Sequence, residues 1–174
     1  MENQKSSLKQ IAVNYGVLLA LVSILTLVIM YVANMQKSWT LSIIGFAITI
    51  YLLFAAIKSY KQGNGGFLKL SDGLKVGLAT ALVAGLISAF YSYIHYSIIN
   101  PEYIDLILNE AREQMESSSQ GMTEEQKQQA LSFTESFTTP FMLSTFSLIG
   151  SLFFGFIISL ISALILRREE PIEM

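Results

Sequence analysis

Residues 71–101 read SDGLKVGLATALVAGLISAFYSYIHYSIINP, and within this run Gly77, Ala81, Gly85 and Ala89 recur every fourth residue. Residues four apart lie on one side of an α-helix. A file of small side chains there lets the backbone of a second helix approach closely inside a bilayer, where packing drives helix association. The stretch therefore predicts a long apolar helix that crosses a membrane with one face reserved for another helix. Ser71 is placed to cap it, and Asp72 falls in its first turn, where a carboxylate suits the helix dipole. At about 1.5 Å per residue, residues 72–99 exceed the ~30 Å hydrocarbon thickness. Lys75 then reaches for one interface, and Tyr91, Tyr93 and Tyr96 form a collar at the other.

Three more runs read as spans. Residues 11–33 and 141–166 carry no charge, and residues 39–57 carry none either. Each is about as long as the roughly 20 residues that a crossing requires. The first is read as an uncleaved anchor, because its apolar run is longer than a signal peptide's and a second run follows within a few residues. Residues 34–38 allow only a tight hairpin, with Tyr31 and Trp39 at one interface. Lys58, Lys61 and Lys69 surround Gly63-Asn64-Gly65-Gly66 in a turn that lacks the spacing and preceding strand of a phosphate loop and reads as a connector. The last span, about 140–166, starts at Thr139-Pro140 and stops at Arg167-Arg168. It carries its own four-step file: Ser147, Ser151, Gly155, Ser159 and Ala163. Two such files in consecutive spans predict that the third and fourth spans dock on each other.

Between these spans, residues 100–138 differ in character. Eight acidic residues stand there against Arg112 and Lys127, while the remainder of the chain has nine basic residues against five acidic ones. Asn100-Pro101-Glu102 opens a helix, with Ile104, Ile107, Leu108, Ala111 and Met115 on one side and Glu102, Asp105, Asn109, Glu113 and Glu116 on the other. After a break at residues 117–121, Thr123-Glu124-Glu125-Gln126 fits a capping box, and Ala130, Phe133 and Phe137 share a face of a second helix. The predicted fold is all-α. It is a single integral membrane domain over residues 1–174, a four-helix bundle with spans at about 11–33, 39–57, 72–99 and 140–166 and an acidic helical hairpin at about 100–138.

The composition agrees. In 174 residues, 52% are hydrophobic and 14% charged, with a mean hydropathy of +0.51, outside the ordinary soluble range. Lys5, Lys9, Lys58, Lys61, Lys69, Lys75, Arg167 and Arg168 fall on one side of the membrane and Lys37, Arg112 and Lys127 on the other. The basic excess marks the cytoplasmic side. Both termini are expected in the cytoplasm and the hairpin outside it.

Chemistry is sparse. Without cysteine there is no thiolate nucleophile, disulfide or sulfur-ligated metal. His95 is the single histidine, and helical spacing groups it with Ser88 and Ser92 as a polar notch. One histidine with no carboxylate within a turn makes neither a metal site nor a triad, and its expected role is an interfacial hydrogen bond to water or headgroups. No charge lies in the middle of a span, which argues against proton or ion relays. The two span pairs share one orientation, so inverted transporter repeats do not arise within one chain. The outer carboxylates lack the alternating ligands of an EF-hand and read as a solvated face. No catalytic, cofactor-binding or metal-binding residue is assigned. Nucleic acid is not an expected partner.

Lys58 with Tyr60-Lys61, Gly65-Gly66-Phe67, Ser71 to Gly77, Tyr91 to Tyr96, Asn100-Pro101-Glu102-Tyr103 and the final span ending in Arg167-Arg168 resemble a family of small four-span bacterial membrane proteins, domain of unknown function 4199. The resemblance extends over nearly the whole chain. It implies a bacterial inner-membrane location and carries no activity or site residue with it.

The expected function is non-enzymatic: a scaffold or accessory subunit of an envelope complex, whose partners are the lipid bilayer and either an envelope protein or further copies of the chain. The alternative is an oligomeric channel or carrier for a small solute. An intramembrane enzyme built on His95 ranks below both.

Overall fold

The computed structural model describes residues 7–35, 38–118 and 121–169. Lys5 and Lys37, both part of the charge bias, lie outside the described residues. Among those described, the protein is all-α. Its helices are α1 (Leu8–Val32), α2 (Trp39–Gly63), α3 (Leu70–Ile94), α4 (Glu102–Ser118), α5 (Glu124–Phe137) and α6 (Pro140–Leu166), and α3 runs on into a wider π-turn at His95–Ile99. Four helical segments, Leu8–Val32, Trp39–Gly63, Leu70–Ile99 and Pro140–Leu166, are long and apolar enough to span a membrane.

Helix ends follow local chemistry. Ser7 and Ser38 cap α1 and α2 by accepting from the N–H groups of Gln10 and Leu41. Thr123 and Gln126 form the reciprocal capping box at α5, and Thr139 Oγ1 accepts from Met142 N at 3.2 Å ahead of Pro140. One cap differs from expectation. α3 begins at Leu70, so Ser71 lies inside its first turn, and the Lys69 carbonyl accepts from Asp72 N and Gly73 N, both at 3.1 Å. The tight bond from Asp72 N to this single carbonyl satisfies a first-turn N–H that a side-chain cap would otherwise take.

The chain forms two compact units. One comprises the chain up to Ser88 together with the chain from Leu148 onward; the other is Ala89–Ser147. In the first, buried side chains stack in two layers: Ile11, Ala56, Ile57, Leu68 and Val76, then Leu19, Leu53, Ala84 and Ile158. α3 supplies both layers and buries the largest share of its apolar length among the four spans. Four hydroxyls on the first three spans are satisfied within their own helices. Ser23 donates to Leu19 O, Thr26 to Val22 O, Thr49 to Gly45 O and Thr80 to Val76 O, at 2.8–3.1 Å. This back-bonding removes polar groups from the hydrocarbon without a partner helix.

In the second unit α4 and α5 pack against each other. Ile104, Ile107, Leu108, Ala111 and Met115 form the half-buried side of α4, and Glu102, Asp105, Asn109, Glu113 and Glu116 are exposed. On α5 the half-buried side is Lys127, Ala130, Leu131 and Thr134. Phe133 and Phe137 depart from the expected shared face with Ala130: they are 66% and 40% exposed. At 100° per residue these rings lie about a quarter-turn off the face that meets α4.

Candidate functional site

The first unit is built on a seam. If a Cβ is placed on Gly73 it meets Ala163 Cβ at 2.5 Å; on Gly77 it collides with Ser159; on Gly155 it collides with Ala81; and on Gly85 it meets Leu148 at 2.8 Å and Ser151 at 3.0–3.1 Å. Each step of four along α3 is answered by a step of four in the opposite sense along α6. Opposing residues have room only because one member of each pair lacks a Cβ. A hydrogen bond crosses the seam where Ser151 Oγ donates to Ala81 O at 3.1 Å. Ser159 and Ala163 are fully buried, and Ser159 Oγ makes no hydrogen bond among the described residues. The remaining members of the two files lie in the second unit, where Ala89 is half-buried and Ser147 exposed.

A second file, which the sequence reading passes over, presses on α3 from another side. Ala12, Gly16 and Ala20 are buried along α1, and a Cβ on Gly16 would meet Val83 at 2.7 Å and the Thr80 carbonyl at 3.0 Å. The same four-residue spacing identifies it; Asn14, Tyr15 and the surrounding leucines draw attention from it. α3 is thus gripped by small residues of both α1 and α6.

The lysine-bearing turn is more than a connector. Gly65 and Gly66 take positive φ values of 66° and 85°, a region that costs other residues strain. The reversal delivers Leu68 into the core at 1% exposure. Leu68 N donates to Arg168 O at 2.8 Å and Arg168 N donates to Leu68 O at 3.0 Å, so the segment after α6 closes a two-bond antiparallel bridge with the segment before α3. The Arg168 guanidinium lies 5.5 Å over the Phe67 ring, within cation–π range. Lys58, Lys61, Lys69, Lys75, Arg167 and Arg168 all flank this closure in sequence, and it packs beside Ile11 of α1. No periodicity reveals such a pairing, because it joins two single residues a hundred positions apart.

The notch residues are all buried: Ser88 at 9%, Ser92 at 8% and His95 at 1% exposure. Ser88 belongs to the first unit, Ser92 and His95 to the second. His95 differs from the expected solvated interfacial histidine. Its ring lies 5.8 Å from Tyr91 and edge-on to Tyr96 at 5.3 Å, and Tyr96 stacks on Tyr103 at 5.1 Å. The π-turn that begins at His95 widens the helix there, and Asn100 N closes it on His95 O at 2.7 Å. Among the described residues no three His, Asp or Glu side chains gather as a metal-ligand set.

Close-packed apolar helices, internally bonded hydroxyls and outward-facing Leu, Ile and Phe side chains define a multi-pass α-helical membrane protein. Within that class, the chain belongs to the family described as Protein of unknown function (DUF4199), whose model matches residues 14–168. No curated protein and no solved structure matches the chain.

Proposed function

We propose that this membrane protein is a non-enzymatic scaffold, an accessory subunit of a complex in a bacterial inner membrane. Both termini would be cytoplasmic and residues 100–138 extracytoplasmic. The observation that carries this reading is the seam. The space between α3 and α6 is filled by Gly77–Ser159, Ala81–Gly155 and Gly85–Ser151 contacts, and the hydroxyls of Ser23, Thr26, Thr49 and Thr80 are turned onto carbonyls of their own helices. Such an interior suits a rigid support better than a solute path, while large apolar side chains remain on the outside for lipid and partner helices. The basic residues around the Leu68–Arg168 closure support a cytoplasmic location for that end.

Affinity purification from native membranes tests the scaffold reading: one stoichiometric envelope partner is expected. Solute or ion flux through proteoliposomes of the pure protein would replace it with the channel or carrier reading. The chain's lack of cysteine makes orientation directly measurable. Glu116→Cys should react with a membrane-impermeant maleimide in intact cells, whereas Lys61→Cys should react only after lysis; the reverse pattern would invert the topology. In a strain with a deletion phenotype, His95→Ala should complement if no reaction depends on that ring.

A further inference from the structure

We propose that the aromatic side of α5 is a membrane-interface anchor: Phe133 and Phe137 seat in the lipid at the level where α6 leaves the hydrocarbon. Three observations carry it. First, Phe133 and Phe137 pair at 4.6 Å between ring centroids yet are turned away from α4 and remain 66% and 40% exposed. Second, Phe137 stacks at 6.1 Å on Phe146 of α6, itself 48% exposed. The ridge is therefore continuous with the outer surface of a membrane span.

Third, the depth of Phe146 follows from the other end of its helix. Arg167 and Arg168 end the apolar run, so the hydrocarbon on α6 ends near Leu166. A hydrocarbon thickness of ~30 Å at about 1.5 Å per residue takes up roughly 20 residues, which reaches back to Ser147. Phe146 then stands at the opposite boundary, and the rings that touch it lie in the interfacial layer. Only Thr138 and Thr139 separate Phe137 from the first residue of α6, which holds the end of α5 at this level. An amphipathic helix with aromatics on one side binds in this layer through its apolar area. Charge plays little part, since the two cations of the hairpin are engaged: Lys127 with Glu124 at 2.7 Å and Arg112 with Glu135 at 3.1 Å.

The test uses single cysteines labelled with the environment-sensitive fluorophore NBD, in full-length protein reconstituted in phosphatidylcholine vesicles. Phe133→Cys and Phe137→Cys, both at exposed positions, probe the ridge; Gln128→Cys probes the opposite side of α5. Ridge probes should emit to the blue of the Gln128 probe. They should be quenched several-fold less by aqueous iodide and several-fold more by lipid carrying a shallow doxyl group, with no change in high salt. Equal iodide quenching at all three positions would overturn the proposal. So would protection of the ridge that is insensitive to doxyl lipid and disappears when the protein is diluted with excess lipid, because a second copy of the chain would then be the cover.

Discussion

The α3–α6 seam and the α4–α5 hairpin are held together by opposite means. In the seam, contact depends on what is missing: Gly77, Gly85 and Gly155 let side chains or backbone of the facing helix occupy the place of a Cβ. The hairpin depends on what is present: a capping box at Thr123, an ion pair between Arg112 and Glu135, and half-buried aliphatic side chains on α4. The physical reason is the solvent. Lipid tails are as apolar as leucine, so helices in the bilayer gain most from close approach. Water supplies a hydrophobic driving force but competes for every hydrogen bond. Consequently a single added methyl group is expected to matter more in the seam than the loss of a whole ion pair in the hairpin.

The comparison breaks most readily at Gly77. Gly77→Leu should leave little folded protein, with a cost at or above the upper end of the ~1–3 kcal/mol usual for overpacking. Ser159 Oγ could rotate away, but its Cβ cannot. Gly85→Leu and Gly155→Leu should act in the same direction, and unchanged heat stability in detergent for all of these variants would refute the seam as the determinant of stability. Gly77→Ala is the sharper probe, with a loss of about 1–3 kcal/mol in detergent-titrated unfolding. Adding Ser159→Gly to it should recover most of that loss, and a double-mutant cycle showing simple additivity would mean that the two positions do not press on each other.

On the hairpin side, Thr123→Ala should weaken the start of α5 by about 1 kcal/mol. The readout is faster hydrogen exchange at the amides of the first turn, Gln126 above all, whose N–H loses its acceptor. Seam stability should not move; a parallel shift in the unfolding of α3 would show that the two regions do not behave independently. The smallest effect belongs to Arg112→Ala. Its pair with Glu135 joins side chains that are both about half exposed, and such pairs contribute at most about 1 kcal/mol. That difference should vanish in high salt, where surface charges are screened.

Much of the architecture follows from local pattern. Uncharged runs of bilayer length mark α1, α2, α3 and α6, and Thr123-x-x-Gln126 and Thr139-Pro140 mark helix starts, because capping chemistry is local and strong. Ser71 misleads for the same reason: it has the chemistry of a cap, but α3 starts at Leu70, two residues earlier than such a cap would set it, with the Lys69 carbonyl accepting from Asp72 N. His95 looks solvated among tyrosines at a helix end. It is buried, at the residue where its helix opens into a π-turn, a change of pitch that leaves no mark in hydropathy.

The chain by itself determined the number of spans, their lengths, the acidic insertion and the four-residue files, since each depends only on the identity and spacing of neighbours along one helix. The tertiary structure decided which files meet. Ala12, Gly16 and Ala20 share a spacing with the residues of α6, and both files grip α3, a choice made by three-dimensional fit between surfaces. The Leu68–Arg168 closure and the outward turn of Phe133 and Phe137 were likewise decided in three dimensions. A backbone pair between distant segments, and the side of a short helix left uncovered, depend on where other elements have already been placed.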